Sequence, residues 1–101
     1  MNQLSVKQKQ YLKGLAHDLE PVVIVGNNGL TAAVIKEIDV NLNAHELIKI
    51  RILGDDRESR AEMIEAICLP LQASFVQHIG KLLVVYRQSQ KARIVLPKAK
   101  D

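Results

Sequence analysis

The spacing of apolar and polar positions changes several times along the chain, and each change marks an element. Leu12, Leu15, Ala16 and Leu19 recur at helical spacing, and Ser5 with Gln8 fits a capping box, so an amphipathic helix is predicted over roughly residues 5–18. Pro21 stops it. Val22-Val23-Ile24-Val25 is a continuous β-branched run of the kind that suits a strand buried on both faces. Gly26-Asn27-Asn28-Gly29 breaks that run. Thr31 is placed to cap a second helix, whose stripe of Val34, Ile35, Ile38 and Leu42 carries it to about Asn43.

From Glu46 to Leu53 the period becomes two. Ile48, Ile50 and Ile52 point one way, and Leu47, Lys49, Arg51 and Leu53 the other, as in a half-buried strand with a partly basic face. Gly54-Asp55-Asp56 reads as a turn and cap. A third helix follows from Arg57 to about Leu69 through Ile64, Ile67 and Cys68, with Pro70 expected to end it. Residues 73–79 and 81–87 are two short strands joined at Gly80, the signal of a tight hairpin. Beyond Gln88 only Ile94-Val95-Leu96 is apolar, which leaves a basic tail or a short extra strand open. The order αβαβαββ describes a two-layer α/β (α+β) domain over residues 1–88, with residues 89–101 as a basic tail.

At 101 residues, 48% apolar and 25% charged, the chain has one domain's worth of core and is not a disordered segment. Its longest apolar runs, 21–25 and 82–86, are far below the roughly 20 residues that cross a bilayer, so no membrane partner is expected. No apolar segment follows Lys7 and Lys9 as in a secretory signal, which points to the cytoplasm. A single cysteine, Cys68, leaves no internal disulfide and no cysteine-rich zinc site.

The net charge of +3 hides a division. Residues 1–13 carry Lys7, Lys9 and Lys13 without an acid, residues 14–80 set five bases against ten acids, and residues 81–100 carry six bases and no acid. Basic ends around an acidic body fit a face for a polyanion, nucleic acid above all, and equally fit plain solubilising charge.

Catalytic chemistry is thinly represented. His17, His45 and His78 have no nucleophile at a recognisable spacing, so no enzyme and no small-molecule substrate are expected. Cys68 falls on an apolar stripe and reads as core. Glu58, Glu62 and Glu65 share a helix with Arg57 and Arg60 and read as a solvated face, so neither a metal nor another cofactor is expected. The loop Gly26-Asn27-Asn28-Gly29 is different. It ends a strand and opens a helix, where free backbone N–H groups favour a phosphate and the missing Cβ atoms let a backbone approach. The same residues are also ordinary turn chemistry. If the first three strands are parallel, one sheet edge collects this loop, Arg51, the Asp56-Arg57 helix start, and His78 with Lys81. Lys7 and Lys9 are expected to approach that edge, and the tail to leave from the opposite one. With Tyr11, Phe75 and Tyr86 the only aromatics, recognition of the backbone and shape of structured RNA fits better than base stacking.

Leu4-Ser5 with the basic first helix, the run Leu15-Ala-His-Asp-Leu-Glu-Pro-Val-Val-Ile-Val-Gly-Asn-Asn-Gly-Leu-Thr31, and Glu46-Leu-Ile-Lys-Ile50 together resemble the CRM domain (chloroplast RNA splicing and ribosome maturation), over roughly residues 4–87. The length resembles that of its stand-alone bacterial, YhbY-type members. The resemblance implies a four-stranded mixed sheet in the order 1-2-4-3, similar to the C-terminal domain of translation initiation factor 3. It also implies RNA binding through the GxxG loop, Gly26 to Gly29, with precursors of the large ribosomal subunit as the partner. Family loops often carry a basic residue after the first glycine. Here Asn27 stands there, which shifts the expected electrostatic work to Lys7, Lys9, Lys13, Arg51 and Arg57. The rival expectation is a protein–protein interaction module that docks a ribosomal or translation factor.

Overall fold

A computed structural model describes residues 4–54 and 57–98 of the chain. Helix α1 (Val6–Ala16) is followed by β1 (Pro21–Val25), α2 (Ala32–His45), β2 (Leu47–Ile52), α3 (Arg57–Leu71), β3 (Ser74–Ile79) and β4 (Leu82–Tyr86). The strands form one sheet in the order β1-β2-β4-β3. β1 and β2 are parallel, and β4 is antiparallel to both β2 and β3, so β1, β2 and β3 all run the same way. The expected element order and mixed sheet are therefore present.

Local chemistry accounts for the helix ends. The Ser5 hydroxyl accepts from the Gln8 N–H and the Gln8 side-chain oxygen accepts from the Ser5 N–H, each at 3.1 Å, which closes the capping box of α1. The Thr31 hydroxyl caps α2 by accepting from the Val34 N–H at 3.2 Å. Pro70 lies inside the last turn of α3 instead of ending it. The chain turns two residues later at Gln72, φ +53°, where the Gln72 and Ala73 N–H groups donate back to Leu69 and Cys68. This paired closure supplies the partners the last carbonyls need.

The sheet has two differently covered faces. Val23, Val25, Ile48, Ile50, Ile52, Leu83 and Val85 pack against Ile38 and Leu42 of α2 and Ile67 and Cys68 of α3. On the other face Leu12 and Ala16 of α1 pack on Leu47, Val76, Val84 and Tyr86, with Ile94 and Leu96 of the C-terminal segment beside them. α1 thus covers the face opposite α2 and α3, so the sheet lies between helices and the expected two-layer arrangement gives way to three layers. β1 is not buried on both faces: Val23 and Val25 are buried, whereas Val22 and Ile24 (57% exposed) face solvent. The reason is its position at the sheet edge, since α1 packs mainly on β2 and β3. Apolarity alone does not distinguish such an edge strand from a central one.

Residues after β4 form no strand as far as Lys98. They are held by Glu46, fully buried at the junction of α2 and β2 with φ +69°. Its carboxylate accepts from the Ser89 N–H (2.7 Å), the Ser89 hydroxyl (2.9 Å), the Arg93 N–H (2.8 Å) and the Ile94 N–H (2.7 Å). Further along, the Gln8 side-chain amide donates to the Pro97 carbonyl at 3.1 Å. The C-terminal segment is a strap across the sheet face that α1 leaves open.

Candidate functional site

The carboxyl ends of β1, β2 and β3 converge at one end of the sheet. There the Leu53 N–H donates to the Val25 carbonyl at 2.9 Å and the Ile52 N–H to the Lys81 carbonyl at 2.7 Å, tying together the segments that leave β1, β2 and the β3–β4 hairpin. The loop Gly26–Gly29 therefore stands on a fixed base. Within it the Gly29 N–H closes a four-residue turn on the Gly26 carbonyl at 3.0 Å, and the Thr31 N–H donates to the Gly29 carbonyl at 3.1 Å. Asn27 and Asn28 are exposed at the tip, and a hollow of about 460 Å³ is lined by Gly26 to Gly29, Thr31 and Val34.

The two glycines do different things. Gly29 sits at φ +72°, a left-handed conformation that side chains resist. Gly26 has no such constraint, and a Cβ there would meet nothing within 4 Å. Turn geometry requires glycine at Gly29 and not at Gly26, and the space in front of the backbone is open at both.

The expected basic residues divide between the two ends of the molecule. Arg51 is exposed, level with Ile24 of β1 and Leu82 of β4, close to the loop. Lys13 lines a hollow with Lys49, His17, Gln77 and Ile79, on the part of α1 that leans towards the loop end. Lys7 and Lys9 do not approach this edge. The amino-terminal half of α1 lies at the opposite end: Leu4 and Gln8 line a hollow with Ser74 and Tyr86, and the Lys9 ammonium stands 5.7 Å from the centre of the Phe75 ring. α1 packs on β2 and β3 with its amino terminus at the start of β3, rather than running back along β1. Arg57 opens α3 at the loop end, but its side chain and Asp56 lie outside the described residues. Gly54 and the β3–β4 hairpin belong to the loop end as expected, with the His78 Nε2 3.1 Å from the Gly80 carbonyl oxygen.

Two further cations serve the fold. The Arg87 guanidinium donates to Asp39 (2.7 Å to Oδ1, 3.1 Å to its carbonyl), to Asn43 Oδ1 at 2.8 Å and to the Leu71 carbonyl at 3.0 Å, joining α2, α3 and β4. Arg60 donates to the Gly54 carbonyl at 3.0 Å and holds the turn after β2. Charge along the chain overstates what is available at the surface.

Among the titratable groups, burial opposes charge on Glu46, but hydrogen bonds from Ser89, Ile94 and Arg93 outweigh it and hold its pKa below the ordinary 4.5. Burial pushes the Cys68 thiol up to about 11. Among the described residues no group of three or more His, Cys, Asp or Glu is placed to hold a metal ion, and no helix is long and apolar enough to cross a membrane.

Fold and site define a small α/β module that presents open backbone and cations at one end of its sheet. The chain belongs to the CRS1 / YhbY (CRM) domain family, whose pattern matches residues 4–87. It is 54% identical to a Haemophilus influenzae protein named RNA-binding protein, over 97% of this chain and 99% of that one. It is 40% identical to a Pseudomonas aeruginosa protein named probable RNA-binding protein, over 87% and 85% of the two chains. The solution structure of a hypothetical protein from Staphylococcus aureus superposes with a TM-score of 0.83 at 36% identity, covering 94% of this chain and all of that one.

Proposed function

We propose that the protein binds RNA without catalysing a reaction on it, and that its partner is precursor RNA of the large ribosomal subunit in the cytoplasm. Family membership and the names of its relatives support RNA as the partner. The observation that carries the loop's role is its open backbone from Gly26 to Gly29, at a strand end beside a capped helix start. There the backbone of Gly26, Asn27, Asn28 and Gly29 meets phosphate, and Arg51 and Lys13 supply the nearby charge. Lys7 and Lys9 belong to RNA contacts at the far end, reached only by a longer RNA.

The test is substitution of Gly26, because valine at Gly29 would mix lost approach with strain at φ +72°. Gly26→Val should fold normally and lose several-fold in RNA affinity. Unchanged affinity in the folded variant overturns the clamp. Crosslinking in cells followed by mapping of bound RNA tests the partner: contacts concentrated on large-subunit precursors are expected, and their absence from the bound pool overturns that assignment.

The exposed apolar residues of β1, Val22 and Ile24, favour a second reading in which this edge docks a protein factor. Salt separates the two, since phosphate contacts weaken steeply with ionic strength and an apolar interface does not.

A further inference from the structure

On the face that carries α1, the last ladder before the loop end runs Ile24, Arg51, Leu82, Ile79, and its Leu82–Ile79 half meets the carboxyl-terminal end of α1. Ile24 is 57% exposed and Ile79 58%, so both ends of this row are open aliphatic surface. At that half of the row a hollow of about 160 Å³ opens between the sheet and the carboxyl-terminal half of α1. Its floor is Ile79, Leu82 and Val84, its rim Lys13, His17 and Lys49, and Gln77 completes it. No carboxylate lines it, and neither Lys13 nor Lys49 forms an ion pair with a described residue. Like charges gathered on an aliphatic floor repel one another, and an anion with an apolar body relieves both the repulsion and the exposure.

We infer that this hollow is a nucleotide subsite for unpaired RNA, separate from the glycine loop and reached from it across Ile24 and Arg51. The inference rests on the RNA-binding reading and adds which part of the RNA is read and where. An unpaired base lies on Ile79, Leu82 and Val84, its phosphate is neutralised by Lys13 and Lys49, and the Gln77 amide meets the base edge as both donor and acceptor. A base stacked inside a duplex cannot enter a hollow under a helix, whereas a splayed base can. From β1 to β4 is two strand spacings, about 10 Å, so the loop and the hollow belong to one continuous track.

The experiment measures the affinity of the full chain for a short unpaired RNA oligomer and for the same sequence as a blunt duplex. Wild type should prefer the unpaired oligomer. Ile79→Ser, a neutral change at an exposed position, should lower unpaired binding roughly fivefold and leave duplex binding nearly unchanged. Lys49→Gln serves as the second variant, with a loss on the unpaired oligomer that exceeds its loss on the duplex; thermal melting verifies that each variant folds. If wild type binds RNA but both folded variants keep the wild-type ratio, or if wild type prefers the duplex, the subsite is overturned while RNA binding stands. If wild type binds neither RNA, both readings fall together.

Discussion

Glu46 shows how much one residue can carry without announcing itself in the sequence. Read from its neighbours it is a polar residue before a strand; in the fold it is a buried carboxylate whose four partners lie more than forty positions away. No local pattern signals such a role, because three of its four donors are backbone N–H groups, which any sequence supplies, and the fourth is the hydroxyl of the distant Ser89. Glu46→Gln keeps the size but turns a donor towards other donors, and a loss of about 1–3 kcal/mol is expected in urea unfolding. The bonds favour the ionised form, so their contribution is complete above the ordinary carboxylate pKa of 4.5 and is lost as the pH falls through the lowered value in the fold. Hydrogen exchange should show the amides of Ser89, Arg93 and Ile94 losing protection together on acidification, and in Glu46→Gln already at neutral pH. Protection unchanged in the variant would mean that the strap is held by Ile94 and Leu96 alone. Cys68, by contrast, was legible as core, and its raised pKa predicts that a thiol reagent at neutral pH labels it only after denaturant is added.

At the scale of elements, the features written as a periodicity or a cap were readable and those set by neighbours were not. The Ser5 capping box, the Thr31 cap, the alternation of β2 and the Gly80 hairpin are short-range physics, and the structure contains all four. The burial of β1 depends on what lies beside it, and Val22-Val23-Ile24-Val25 has the same composition whether or not a helix covers its second face. The path of α1 is equally non-local, since its stripe of Leu12 and Ala16 would fit any apolar sheet surface. The faces should separate cleanly under mutation. Ile24→Thr is expected to change stability by less than about 0.5 kcal/mol, whereas Ile50→Ala, in the fully buried face of β2, should lose about 2–5 kcal/mol. A large loss at Ile24 would mean that its face is covered in solution.

Across the whole molecule, 40 Å in its longest dimension, the basic residues fall at two ends that the linear charge pattern had merged into one face. Lys13, Lys49 and Arg51 lie towards the glycine loop, whereas Lys9 reaches over Phe75 beside the start of β3, where the strap also brings Pro97 and hence Lys98. The separation well exceeds the roughly 8 Å over which exposed charges act at physiological salt, so a short RNA held at one end is nearly blind to the other. For a short unpaired oligomer, replacing Lys13 and Arg51 with glutamine should therefore flatten the dependence of log affinity on log salt by about 1.4, which is about 0.7 for each phosphate contact removed. Replacing Lys91 and Lys98, both exposed on the strap, should leave that slope unchanged. With an RNA long enough to span the molecule the strap pair should begin to count, and the slope should fall for both double variants. A slope on the short oligomer that falls for the strap pair and not for Lys13 and Arg51 would place its path along the strap, and the loop end would lose its claim as the principal RNA surface.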